Sequence, residues 1–287
     1  MDHIIYITAV FAVAGVIKGA GGADAGWGWP AVATALLSLA MPPLQAAALL
    51  IVPSLLTNLW QTMEAGSSAP RAYGAPGHAV PGPVLAPALY PLWQRLWPMM
   101  AGIVAGTLLG GAAAIYVAQL AHGAADYGAA PSTDWASGAL GLALVLHATP
   151  GLLAVRWHVA PAAETWLSPL AGALTGLVSA VTGVFTVPAV PYLQALGLEA
   201  EHRERLVQAT GLAGVVATVA LAVSLAARGV WEPAVAGLSF AAQLPALAGM
   251  LLGQRLRGRL HRALFVRGLP GALLLLGMYM ALKAAWS

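Results

Sequence analysis

Long apolar runs divided by short polar links dominate this chain. They fall at 3–18, 29–41, 44–62, 96–121 and 136–155, and again at 166–182, 184–198, 205–227, 231–252 and 264–285. Barrel strands would alternate apolar and polar positions, and these Ala/Leu/Val runs do not, so the pattern predicts helices. A comfortable membrane crossing needs roughly 20 apolar residues. The long runs meet that length. The first two runs of each set are shorter and are interrupted by Gly or Pro. The expectation is an all-α polytopic membrane protein built from two sets of about five helical segments, each opened by a broken or re-entrant helix.

The two sets resemble each other. Ala14-Gly15-x-x-x-Gly19 matches Ala171-Gly172-x-x-x-Gly176, and Pro30-Ala31-Val32 matches Pro188-Ala189-Val190 about a dozen residues later. The order of breaks and long spans also matches, which points to internal duplication. The expected units are 1–125 and 126–287.

Basic residues orient the spans, because Lys and Arg collect in cytoplasmic loops. Arg255, Arg257, Arg259 and Arg262 mark the 253–263 link as cytoplasmic, and Arg203 and Arg205 mark 199–205. The 121–135 loop carries Asp126 and Asp134 with no basic residue, so it is expected outside. These placements agree only if each broken pair starts and ends on one side. Each set then has an odd number of crossings, and tandem copies come out inverted, with both termini outside. The competing arrangement, one crossing per broken pair, gives parallel repeats and puts the acidic loop beside the Arg cluster.

Composition adds that the chain is 60% hydrophobic and 8% charged, with a mean hydropathy of +0.79. A soluble domain carries roughly 25% charged residues. The net charge of +3 sits in a few links and does not suggest nucleic acid. Cysteine is absent, which excludes disulfides, thiol chemistry and Cys metal sites. The opening MDHIIYITAV lacks a basic leader and is expected to be a retained span. The 63–95 loop holds Pro70, Pro76, Pro81, Pro83, Pro87 and Pro91, which disfavour a regular helix. Trp93, Trp97, Trp135, Trp157, Trp166, Trp231 and Trp286 lie near span ends, as in an interfacial aromatic belt.

One stretch stands apart. KGAGGADAGWGWP, Lys18 to Pro30, places glycines, a lysine and an aspartate inside an apolar run. Unwound backbone at membrane depth is tolerated only where protein or a polar cavity surrounds it. Matched breaks of this kind are binding-site candidates in transporters.

The run Ile17-Lys18-Gly19 and the following break lead into LLSLAMPPLQAAALLIVPSLLTNLWQ, Leu36 to Gln61. Together they are similar to the first repeat of the TauE/SafE sulfite-exporter family. GALTGLVSAVTGVFTVPAVPYLQALGLE, Gly172 to Glu199, and LVQATGL, Leu206 to Leu212, resemble that family's second repeat. The resemblance implies a multi-pass transporter of the cell inner membrane that moves small anions such as sulfite and sulfoacetate. The break here reads AGGADAGWGW where the family carries a Thr-Gly-Phe-Gly type sequence, so Asp24 and the two tryptophans are local features.

Such an anion must exchange part of its water shell for donors. Half-helices beginning after Gly28 and Gly183 would point free N–H groups and positive dipole ends at a shared central site. Lys18 and Gly19 stand at the first break, and Lys18 would supply charge. The alternative is that it snorkels to an interface. Asn58 and Gln61 share a helix face at i, i+3, and Gln208 lies on the corresponding span of the second half. Amides are neutral donors suited to an anion. Thr57, Thr175, Ser179 and Thr182 add hydroxyls. Packing between helices is the alternative role for all of these. Asp24 and His147 are the candidates for proton coupling, against an exposed carboxylate and a structural histidine. No nucleotide-binding motif, G-x-S-x-G or H-E-x-x-H is present, so no enzyme activity, cofactor or metal is expected. The expected partners are a small anion and the lipid bilayer.

Overall fold

Away from water every backbone N–H and C=O needs an internal partner, and a chain rich in Ala, Leu and Val meets that need as helix. The computed structural model describes residues 2–25, 28–67, 85–122, 133–153, 158–198, 203–257 and 262–286, and no strand occurs among them. The described helices are α1 (Asp2–Ala25), α2 (Trp29–Leu37), α3 (Pro43–Ser67), α4 (Leu85–His122), α5 (Thr133–Leu153), α6 (Pro161–Thr182), α7 (Thr186–Ala195), α8 (Arg203–Ala227), α9 (Pro233–Leu256) and α10 (Arg262–Trp286). Seven of the described helices are long and apolar enough to cross a membrane. The short ones are α2 with nine residues and α7 with ten. The protein is an all-helical polytopic membrane protein.

The structure corrects the expected position of the first break. α1 does not end at Lys18; it continues to Ala25, and the interruption separates it from α2. α1 and α6, expected as short pieces, have 24 and 22 residues. The glycines of α1 serve close packing instead of unwinding. A methyl group on Gly15 would run into the Ala246 carbonyl oxygen, and one on Gly19 into that of Met250. Small residues let helix backbones approach in this way inside membranes. A helical glycine costs about 1 kcal/mol against alanine, less than the several kcal/mol of an unsatisfied backbone group in lipid.

The Pro-rich stretch is corrected in part. α4 already begins at Leu85 and runs through Pro91 and Pro98. Pro87 falls in its first turn, where the missing N–H has no helical partner to lose. Residues 68–84, with Pro70, Pro76, Pro81 and Pro83, lie outside the described residues.

The halves interlock crosswise. α1 packs on α9, and α6 packs on α4. Gly15 abuts Ala246 and Met250 of α9, while Gly172 abuts Met99 and Ile103 of α4. Gly19 abuts Met250 and Gln254, while Gly176 abuts Ile103 and Thr107. From the other side, Gly249 and Gly253 face Ala12 and Val16, as Gly102 and Gly106 face Pro169 and Ala173. One constant offset relates α1 to α6, and another relates α4 to α9.

Two further long pairings are antiparallel. In α5 and α10, Gly138 lies by Ala284 while Val145 meets Gly277. In α3 and α8, Ala47, Ala48 and Ile51 cluster with Leu221 and Leu225, and Thr62 lies by Gly211.

In each broken pair the short helix folds back along the long one. Tyr6 near the start of α1 donates its hydroxyl to the Leu36 carbonyl near the end of α2, at 2.5 Å. In the second half the hydroxyls of Ser168 and Tyr192 meet at 2.6 Å, and Val159 N–H donates to the Ala195 carbonyl at 2.9 Å. A full-length helix followed by a half-length return opens each set. Gly183 closes α6 in the left-handed conformation at φ 73°, which favours glycine.

Candidate functional site

Four elements meet around Lys18. Gly15 and Lys18 lie one turn apart on α1. Across from them Gln243, Ala246, Leu247 and Met250 follow helical spacing on one face of α9. Trp29, the first residue of α2, and Thr57 of α3 complete the cleft. Its space is about 10 Å³, enough for about one water molecule. The cleft is therefore closed to a larger solute in this conformation.

The chemistry of the lining is uneven. The Lys18 nitrogen is buried and lies 5.5 Å from the centre of the Trp29 ring, within cation–π reach. Trp29 itself is 2% exposed. The Thr57 hydroxyl donates to the Pro53 carbonyl at 2.7 Å, with the Ser54 carbonyl at 3.1 Å. Its proton is thus committed to its own helix, which leaves oxygen lone pairs as what it offers a neighbour. Gln243 is buried, and its Oε1 has no hydrogen-bond partner among the described residues. The cleft combines one cation, an unmet acceptor, and apolar walls from Ala246, Leu247 and Met250.

The other predicted site residues do not line this cleft. Gly19 packs against Met250 and Gln254, and Gly28 against Leu269 and Leu273 of α10. Asn58, 3% exposed, turns toward Gly214 of α8. Its Nδ2 and the Nε2 of Gln208 are both buried without a partner among the described residues. Gln61 is partly buried on α3. Thr175 donates to the Ala171 carbonyl at 2.7 Å, and Thr182 donates to the Val178 carbonyl at 2.7 Å. Thr182 also accepts the Val184 N–H at 3.2 Å, which caps the second break. Gly183 lies against Ala47, near Thr34, so the second break meets α2 and α3. His147 sits on α5, with its Nδ1 buried and without a partner among the described residues. The side chain of Asp24 lies outside those described.

Sequence reasoning singles out neither Gln243 nor Trp29 as a site residue. Gln243 did carry a signal, an amide midway along an apolar span, where polar groups are expensive. A second cavity, about 260 Å³, opens at the far end of α2 between Ser38, Met41, Ser137, Tyr279 and Lys283. It contains none of the predicted residues.

Seven apolar helices of spanning length, two helical hairpins and a buried ammonium beside one of them belong to a polytopic membrane protein. The chain belongs to the sulfite exporter TauE/SafE family, whose model matches residues 6–280. Comparison with curated proteins and with solved structures found no match.

Proposed function

We propose that this chain is a secondary transporter that carries a small anion across the cell inner membrane by alternating access. Export of sulfite or an organosulfonate such as sulfoacetate is the direction and class that the family favours. The observation that carries this reading is the buried Lys18 ammonium, set against Trp29 in a cleft between four helices. An ionisable group inside a membrane segment is by default a functional candidate. Because α2 begins at Trp29, its positive dipole end adjoins the same cleft.

The reading includes inverted-topology repeats with both termini outside. Support comes from the antiparallel α3–α8 and α5–α10 pairings and from the matched crosswise packing. The two units remain 1–125 and 126–287 in outline; the α5–α10 pairing favours counting α5 with the first. An inside-negative potential favours anion exit by ~2.3 kcal/mol per charge per 100 mV. Asp24 and His147 stay as proton-coupling candidates. The reading assigns no catalytic residue and no cofactor.

Reconstitution tests it. Proteoliposomes holding the protein should move sulfite or a small sulfonate faster than empty liposomes, and Lys18→Met should remove the excess. Flux no greater than that of empty liposomes for every small anion tried would overturn the proposal.

A further inference from the structure

We propose that the cavity at the far end of α2 is a binding site for the headgroup phosphate of an anionic phospholipid. The site is independent of the transport reading. It lies at the opposite end of α2 from the Lys18 cleft.

The cavity holds about 260 Å³, against about 10 Å³ beside Lys18. Its walls are the turn from α2 into α3, the start of α5 and the last two turns of α10. Close packing of α5 on α10, with Gly138 against Ala284, holds two of these walls together. Met280, 3% exposed, faces inward from α10.

Charge selects the headgroup. Lys283 is the one charged residue among the described residues lining the cavity. No hydrogen bond or ion pair engages its ammonium among the described residues. A phosphodiester carries a single negative charge and would neutralise it. No lining carboxylate stands ready for the second, cationic group of a zwitterionic lipid, so a headgroup with net negative charge fits better.

Hydrogen-bond donors support the same ligand. The Ser38 hydroxyl is buried without a partner among the described residues, so it has a proton to offer an acceptor. Ser137 adds a second hydroxyl to the lining. The negative end of a helix would oppose an anion, but here the last carbonyls of α2 are occupied. That of Leu36 accepts the Tyr6 hydroxyl and the Leu39 N–H, and that of Leu37 accepts the Ala40 and Met41 N–H groups.

Position decides for a lipid over a soluble phosphate. The apolar span of α10 runs from Gly268 to Trp286, and Lys283 stands in its last turn. The cavity therefore lies at the membrane boundary, where Lys, Tyr and Trp meet headgroups. From it Leu282, Tyr279 and Leu275 descend along one face of α10, each more than half exposed. Leu275 lies about 12 Å below Lys283 along the helix. Acyl chains would follow this stripe while the phosphate reaches the lysine. A soluble phosphate would leave the stripe unused.

The test is native mass spectrometry of the purified protein, with phosphatidylglycerol, phosphatidylcholine or glycerol 3-phosphate added in detergent. Wild-type protein should retain one phosphatidylglycerol at concentrations where the other two do not bind. Lys283→Gln should weaken that binding at least about five-fold. Ala40→Trp, from an exposed position on the rim, keeps the lysine but fills the cavity and should also lose the lipid. Arg257→Gln removes an exposed charge at the other end of the bundle and should change nothing. Equal retention of the two lipids, or equal weakening by Lys283→Gln and Arg257→Gln, overturns the site. Full binding in Ala40→Trp places the lipid elsewhere and overturns it as well. Glycerol 3-phosphate held as tightly as phosphatidylglycerol overturns the lipid assignment in favour of a soluble phosphate.

Discussion

The ammonium nitrogen of Lys18 lies 5.5 Å from the centroid of the Trp29 ring, and that ring is almost fully buried between α1 and its neighbours. A desolvated cation–π contact contributes about 2 kcal/mol. A lysine at the centre of a membrane helix costs about 2.5–3.5 kcal/mol on insertion scales. The ring therefore offsets part of the cost of the charge.

Lys18→Met should lower anion flux at least about ten-fold while the protein still folds, because a methionine costs a membrane segment less than a lysine does. Trp29→Leu should lower flux by about two- to thirty-fold, the range a cation–π contact covers. Flux assays on both variants, with thermal unfolding in detergent as a folding control, check this. Unchanged flux in Lys18→Met would remove the lysine from the site.

The crosswise glycines should behave as matched sets. Gly15→Ala and Gly172→Ala each drive a methyl into a carbonyl oxygen of the facing helix, Ala246 in one case and Met99 in the other. Each should cost about 1–3 kcal/mol, the usual overpacking range. Gly237→Ala, where nothing stands within 4 Å, should leave the unfolding temperature unchanged or slightly raised. Equal stability of all three would contradict the close packing.

Gly183→Ala should destabilise on two counts. Its φ of 73° is left-handed, which costs an L-residue about 1–2 kcal/mol, and its new methyl would meet Ala47. Gly197→Ala shares the first count, at φ 75°, but has open space around it. The difference between the two melting temperatures isolates the packing at the second break.

Arg95 holds Glu164 by two hydrogen bonds, at 2.7 Å and 3.0 Å, and also reaches the Leu196 carbonyl at 3.4 Å. The pair ties α4 to α6 and to the end of α7. Exposed ion pairs contribute about 0.2–1 kcal/mol, so Glu164→Gln should change stability by no more than about 1 kcal/mol. A double-mutant cycle with Arg95→Gln should return a coupling in the same range. A coupling near zero would show that the pair does not hold these helices together.

The absence of cysteine makes topology directly testable. Leu39 and Gln194 are exposed near the ends of the two half-helices. Under the inverted-repeat reading, Leu39→Cys reacts with an impermeant thiol reagent from outside the cell and Gln194→Cys only from the cytoplasmic side. Labelling of both from one side would favour parallel repeats.

The sequence by itself determined the class of protein, the order of the apolar segments and the family. These follow from local pattern, since a backbone in lipid must satisfy its own hydrogen bonds and long apolar runs without alternation do so as helix. It also placed Lys18 at the heart of the problem. Only the tertiary structure decided what the glycines are for. Gly15 and Gly19 look like helix breakers in one dimension, and they prove to be contact points because α9 lies against them. Similarly, Gln243 joins Lys18 although more than two hundred residues separate them. Which side chains share a cleft depends on helix pairing between distant segments, and composition and periodicity do not encode that pairing.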